Sequence, residues 1–371
     1  MKILQAGLAL AIMATAAAGQ TKPAAETAPA APAKAAAQAA PKAVAKTAPA
    51  KTAPTEPAKP VQDKCVAQIL AQRNAKPDAP QPTKTSAAIE AEQAYIAYDQ
   101  GQFLTALGAA ENAAARGDPQ AHTLVARIHD EGQGVPKDPM TAARWYARAA
   151  ELCDVPALFA YGLMLAEGRG VGKDRPAAAE NLEKAAISGH ALANYNLGLL
   201  FLRGDGKPEN PHRAAQHILY AAEKGVAAAQ YDIGAMYQAG AGVPQDGVEA
   251  SRWLNKAAIA GHTAAQYDYA VLLMKGLGLE KDKPKAVEYL TAAADKGLPG
   301  AQNRLAHLYK DGVGVGKSPV EAVKWRVLSK TGNVLDDALD AELAKLSKAD
   351  RASGEQAAAD WEDKRKVGIK E

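Results

Sequence analysis

Ala193-Asn-Tyr-Asn-Leu-Gly-Leu-Leu-Phe201 and Ala229-Gln-Tyr-Asp-Ile-Gly-Ala-Met-Tyr-Gln-Ala-Gly-Ala-Gly-Val243 start 36 residues apart and align column for column. From Gly117 onward the register continues without a gap. Glycine recurs at 132, 168, 204, 240, 276 and 312, and again at 134, 170, 206, 242, 278 and 314. Alanine recurs at 121, 157, 193, 229, 265 and 301, and at 142, 178, 214, 250, 286 and 322. Four columns held over six copies set a fixed period in the range of solenoid repeats.

Each column has a physical reading. The first glycine ends a helix, where a left-handed residue without a Cβ is favoured. About six residues later stand Asp138, Asp174, Asn210, Asp246, Asp282 and Ser318, all good N-caps. Pro139, Pro211 and Pro319 then occupy the first helical position, where a missing N–H costs nothing. The second helix runs on to Gly189, Gly225, Gly261 and Gly297. In the first helix, small Ala126, Gly162, Gly198, Gly234, Ala270 and Ala306 permit close helix approach. Each copy therefore reads as a helix–loop–helix hairpin that buries its apolar face only by stacking. The expected fold is all-α: a right-handed α-solenoid over roughly 85–365.

These residues, with Trp253 and Lys256-Ala-Ala following Asp246, resemble Sel-one-like repeats (SLR), 36-residue relatives of the tetratricopeptide repeat. The resemblance covers 120–333. Upstream, 61–119 reads as N-terminal helices and a tetratricopeptide-like cap with a tight turn at Asp99-Gln-Gly101. Downstream, Asp337 falls where the grid calls for alanine, and 334–371 reads as polar capping helices.

Outside the array the chain changes character. Residues 1–19 read as a signal peptide: Lys2, an apolar run, and small residues at Ala16-Ala17-Ala18-Gly19. Residues 20–60 form an Ala/Pro/Lys-rich linker that cannot bury enough apolar surface to order itself. Between 20 and 64 lie seven Lys against three acids, a net +4, which suits weak contact with an anionic envelope surface. The whole chain carries only +3, too balanced for a dedicated nucleic-acid binder. A periplasmic or secreted location in a bacterium is expected, with no membrane span after signal cleavage.

Signs of chemistry are sparse. Gly312-Val-Gly-Val-Gly-Lys-Ser318 has the look of a phosphate loop, but its leading glycine would fall on Asp311 and a helix precedes it. No two histidines take the zinc-hydrolase spacing, and no Gly-x-Ser-x-Gly elbow occurs. The sequence therefore implies no enzyme, no cofactor and no metal. The SLR resemblance implies an exported scaffold that binds a protein or peptide partner. The alternatives are an envelope enzyme of penicillin-binding or β-lactamase type, or a peptidoglycan- or glycan-binding envelope protein.

Two sets of residues stand out. Phe159, Tyr195, Tyr231 and Tyr267 share one first-helix column, about 160–200° from the columns expected to be buried. Gln230, Gln266 and Gln302 precede it, with Asp232, Asp268 and Arg304 beside it. First helices line the concave side of tetratricopeptide-like arrays, so the resemblance makes this column a candidate peptide-binding groove. The second set is Cys65 and Cys153, the two cysteines of an exported chain and a candidate disulfide.

Overall fold

The computed structural model describes residues 63–74 and 84–368; the expected leader (1–19), the linker (20–60) and the chain end lie outside these. Among the described residues every regular element is a helix. Helix α1 (Lys64–Arg73) precedes a hairpin of α2 (Ser86–Asp99) and α3 (Phe103–Ala115). Six hairpins follow. They pair α4 (Pro119–Glu131) with α5 (Pro139–Glu151), α6 (Val155–Glu167) with α7 (Arg175–Ile187), and α8 (Ala191–Arg203) with α9 (Pro211–Glu223). Next come α10 (Ala227–Ala239) with α11 (Gly247–Ile259), α12 (Thr263–Lys275) with α13 (Lys283–Asp295), and α14 (Pro299–Asp311) with α15 (Pro319–Thr331). Two helices, α16 (Asp337–Leu343) and α17 (Lys348–Gly368), close the chain. Each helix packs on its hairpin partner and on the next hairpin, so the architecture is an α-solenoid.

The column assignments hold at atomic level. Asp138, Asp174, Asn210, Asp246, Asp282 and Ser318 each accept hydrogen bonds from first-turn backbone N–H groups. Such caps contribute about 1 kcal/mol apiece. The helix-ending glycines from Gly132 to Gly312 are left-handed, with φ between 64° and 75°. The small first-helix column sets the hairpin spacing: a Cβ added at Gly198 would lie 2.6 Å from Ile218 Cγ1. The core is thin and rich in alanine, both alanine columns being 0–1% exposed.

The ends are sealed differently. At the N-terminal end, α1 folds back across the array and Cys65 is disulfide-bonded to Cys153. Ile69 is buried in a cluster with Ala150, Leu158 and Leu182. Asp63 pairs with Lys184 at 2.8 Å, and Arg73 donates to the Ile187 carbonyl at 3.1 Å. At the C-terminal end α17 lies on α15, with Trp361 edge-on to Trp325 at 6.3 Å.

Candidate functional site

The aromatic column does not face solvent as the helical-wheel placement requires. Each first helix is enclosed by its hairpin partner and by the preceding second helix, and the tyrosines reach across to the next first helix. Tyr195 and Tyr231 are buried, at 5% and 6% exposure, while Phe159 and Tyr267 are half-buried. Tyr195 donates its hydroxyl to Asp232 Oδ2 at 2.8 Å, and Tyr231 donates to Asp268 Oδ2 at 2.8 Å. The column is thus a ladder of inter-repeat latches, each phenol joined to the carboxylate 37 residues on. The next latch is missing. Where Asp232 and Asp268 stand, the following repeat carries Arg304, which offers the Tyr267 hydroxyl no acceptor. Tyr267 and Arg304 are both half-buried.

The glutamines serve the backbone. Gln230, Gln266 and Gln302 donate their amides to the carbonyls of Ala222, Ala258 and Ala294, and Asn194 does the same to Ala186. These carbonyls belong to the last turn of the preceding second helix, where intrahelical donors run out. His190 and His262 are N-caps: each Nδ1 accepts from the backbone N–H three residues on. Their rings also pack on aromatic neighbours 4.6 Å away, His190 tilted against Phe159 and His262 stacked on Tyr231. The available signal was their column, which holds the capping residues Asp118 and Asp154 in earlier repeats.

Burial raises the Asp232 and Asp268 carboxyls to about 6, with the tyrosine hydrogen bonds pulling the other way. An acid whose pKa is raised by folding stabilises the fold while protonated, and that contribution is lost as pH rises through the folded pKa. Asp232→Asn cannot ionise and keeps an acceptor for Tyr195. Relative to the parent it should therefore be about 2–3 kcal/mol more stable at pH 8 than at pH 4, two pH units at about 1.4 kcal/mol each. Burial lowers His190 and His262, which titrate with the opposite sign, so the variant-minus-parent difference isolates the carboxyl. Urea unfolding at both pH values measures it, and a pH-independent difference would refute the assignment.

A family model for the Sel1 repeat matches residues 119–152, 155–190, 191–226, 227–262, 263–298 and 299–325. The chain belongs to the Sel1 repeat family. Among solved structures it is similar to c5321, a protective antigen of uropathogenic Escherichia coli with an SLR fold, at 28% identity and TM-score 0.64. That match covers 74% of this chain and 60% of the antigen, so the chain spans less than two thirds of its length. It is also similar to a Sel1 repeat protein from Oxalobacter formigenes, at 30% identity and TM-score 0.59, over 65% of this chain and 99% of that one. No curated protein matches. A Sel1 repeat array is a scaffold fold typical of protein–protein interaction modules. Among the described residues of this Sel1 repeat protein, no group of three or more His, Cys, Asp or Glu side chains is placed to hold a metal ion. Nor is any described helix long and apolar enough to cross a membrane.

Proposed function

We propose that this Sel1 repeat chain is an exported, non-enzymatic scaffold that binds a protein or peptide partner along its first-helix face. The missing latch at Tyr267 and Arg304 carries this reading. Upstream, the phenols donate their hydroxyls to aspartates; here Tyr267 is followed, at the aspartate position of the next repeat, by Arg304, and both are half-buried. A planar guanidinium next to a phenol suits a carboxylate-bearing segment, such as an acidic side chain of an extended peptide. Phe159, the latched tyrosines and the glutamines then hold the platform rather than touch the partner. Export is supported by the Cys65–Cys153 disulfide, since such bonds persist in oxidising compartments, and by the leader-like opening sequence.

The test compares the mature chain with Arg304→Glu and Tyr267→Ala variants as immobilised baits against envelope extract, read by mass spectrometry. A partner retained by the parent should fall at least tenfold with both variants. Arg304→Glu should melt close to the parent, and Tyr267→Ala, which removes a ring packed against the core, should melt lower but remain folded. An unchanged set of captured proteins would place the binding site elsewhere. Nitrocefin turnover by the purified parent would replace the scaffold reading with the enzymatic one. Co-sedimentation with purified peptidoglycan, unaffected by either variant, would favour the glycan reading.

A further inference from the structure

The turns that join each second helix to the next first helix line one edge of the array, and most of them are covered. Cys153 carries the disulfide to α1. Tyr220 lies against Gly189 and donates to its carbonyl at 3.4 Å. Lys296 donates to the Gly261 carbonyl at 2.6 Å. Arg365 of α17 lies against Gly297 and donates to the Lys296 carbonyl at 3.2 Å. Gly117 and Gly225 are different: a Cβ at either would meet nothing within 4 Å, but the residues that correspond to Lys256 and Ile259 at the Gly117 turn are Arg148 and Glu151. Beside the Gly225 gap Ile259 is 71% exposed.

What fits such an edge is visible two repeats earlier, where α1 is seated. Beneath α1 lie Ala150, Leu182 and Ala185; 72 residues on stand Ala222, Leu254 and Ala257, the same residue types and equally buried. Lys184, which holds the Asp63 cap of α1, corresponds to Lys256. Ile187, whose carbonyl receives Arg73, corresponds to Ile259. The repeat between them breaks the pattern with Tyr220 and Glu223, and Tyr220 fills its own gap. The repeat after has Ala292 and Asp295, and Lys296 fills that one. Only around Gly225 do the lysine and isoleucine recur with the space left open. One difference shapes the occupant: where Leu158 underlies Ile69, Gln230 now stands, its amide bonded to the Ala222 carbonyl. The floor is shallower and more polar, so the apolar anchor must sit on Ile259. The Lys256 ammonium rests 3.9 Å from the Trp253 ring centroid, ready for a carboxylate.

We infer that the gap framed by Gly225, Lys256 and Ile259 docks a short amphipathic helix of a partner protein, one that begins with an acidic cap and carries an aliphatic anchor. The chain's own α1 is tied to Cys153 and already occupies the equivalent site, so this described helix does not fill the second one, and the occupant is assigned to another protein. This surface is separate from the first-helix face, and its test stands apart from that reading.

The probe is a labelled synthetic peptide of residues 61–74 with Cys65→Ala, titrated by fluorescence anisotropy into the oxidised full-length chain. It is stapled along its solvent face so that the helix is preformed and the ordering cost that α1 alone cannot meet is removed. Saturable one-to-one binding is expected. It should weaken at least tenfold with Ile259→Asp and with Lys256→Glu, and with an Asp63→Lys peptide, while the melting temperatures of the protein variants stay within a few degrees of the parent. Absence of saturable binding would overturn the inference. So would binding indifferent to Ile259→Asp, or binding seen only after reduction, which would place the peptide at the site of α1. Sedimentation of the chain alone completes the test: self-association abolished by Ile259→Asp would make the occupant a second copy and overturn the assignment to another protein.

Discussion

Gly242→Ala is expected to break the array into two separately melting blocks. Gly242 is left-handed at φ 74°, and an added Cβ there would fall deep inside contact with the Pro211 carbonyl oxygen of the preceding repeat. Backbone cannot step aside as a side-chain tip can, so the junction between hairpins must open. We expect a loss of roughly 4 kcal/mol, at the upper end for single substitutions. Two other glycines calibrate this. Gly240 is also left-handed, but its Cβ would lie 3.3 Å from Gln245 Cβ and 3.5 Å from the nearest backbone atom, Gln245 N, so Gly240→Ala should cost about 1–2 kcal/mol, chiefly the left-handed penalty. Gly172 has no positive φ and nothing within 4 Å, and Gly172→Ala should lie within about 0.5 kcal/mol of the parent. Stability in a repeat array is a sum of repeat and nearest-neighbour terms, so losing one junction uncouples the blocks on either side. Calorimetry should resolve two transitions for Gly242→Ala and one for the parent. A single transition with a loss under 1 kcal/mol would show that the second glycine column is not what seats one hairpin on the next.

That column also marks how far the sequence was legible. The 36-residue grid, the αL glycines and the N-caps are local features, decided by residues within one turn of each other, and they were readable from one chain. The second glycine column was visible but unexplained. Its reason is a contact 31 residues back, as Gly170 meets Pro139, Gly206 meets Arg175 and Gly242 meets Pro211. The exposure expected of Tyr195 and Tyr231 was misread for the same reason. A helical wheel measures angles within one helix, whereas the burial of Tyr195 is decided by neighbours in other repeats and by Asp232, 37 residues on. Buried phenols looked like a binding ladder because both uses favour one aromatic per repeat flanked by polar groups. The glutamines carried a clue that was open to reading: spaced eight residues after the Ala222, Ala258 and Ala294 carbonyls, they sit where a second helix runs out of donors. At the N-terminal end the pairing of Cys65 with Cys153 was legible from the cysteine count together with the expectation of export. The exchange of glycine for Cys153 in the turn column added a further mark.

Cys153 supports a second large effect, separable into two parts. Its φ is 66°, in the left-handed region that its column otherwise fills with Gly189, Gly225, Gly261 and Gly297. The residue therefore pays a conformational cost of about 1–2 kcal/mol to carry the crosslink. The crosslink spans 88 residues, worth about 4–5 kcal/mol in the chain-entropy model. Without it α1 keeps little. A ten-residue helix is marginal by itself, the Asp63–Lys184 pair is partly exposed and worth under about 1 kcal/mol, and Ile69 alone supplies about 2–3 kcal/mol of burial. Fixing ten residues costs more than that sum at about 1 kcal/mol or more each. So α1 should leave the array in both Cys153→Ser and Cys153→Gly, and trypsin should cut rapidly after Lys64 and Arg73 in both but slowly in the oxidised parent. The two variants should differ in stability. Cys153→Gly loses only the crosslink and regains the left-handed cost, so it should unfold about 1 kcal/mol harder than Cys153→Ser. Equal stability of the two would show that the turn imposes no cost at Cys153. Protease resistance equal to the parent in both would show that packing, not the disulfide, holds α1 in place.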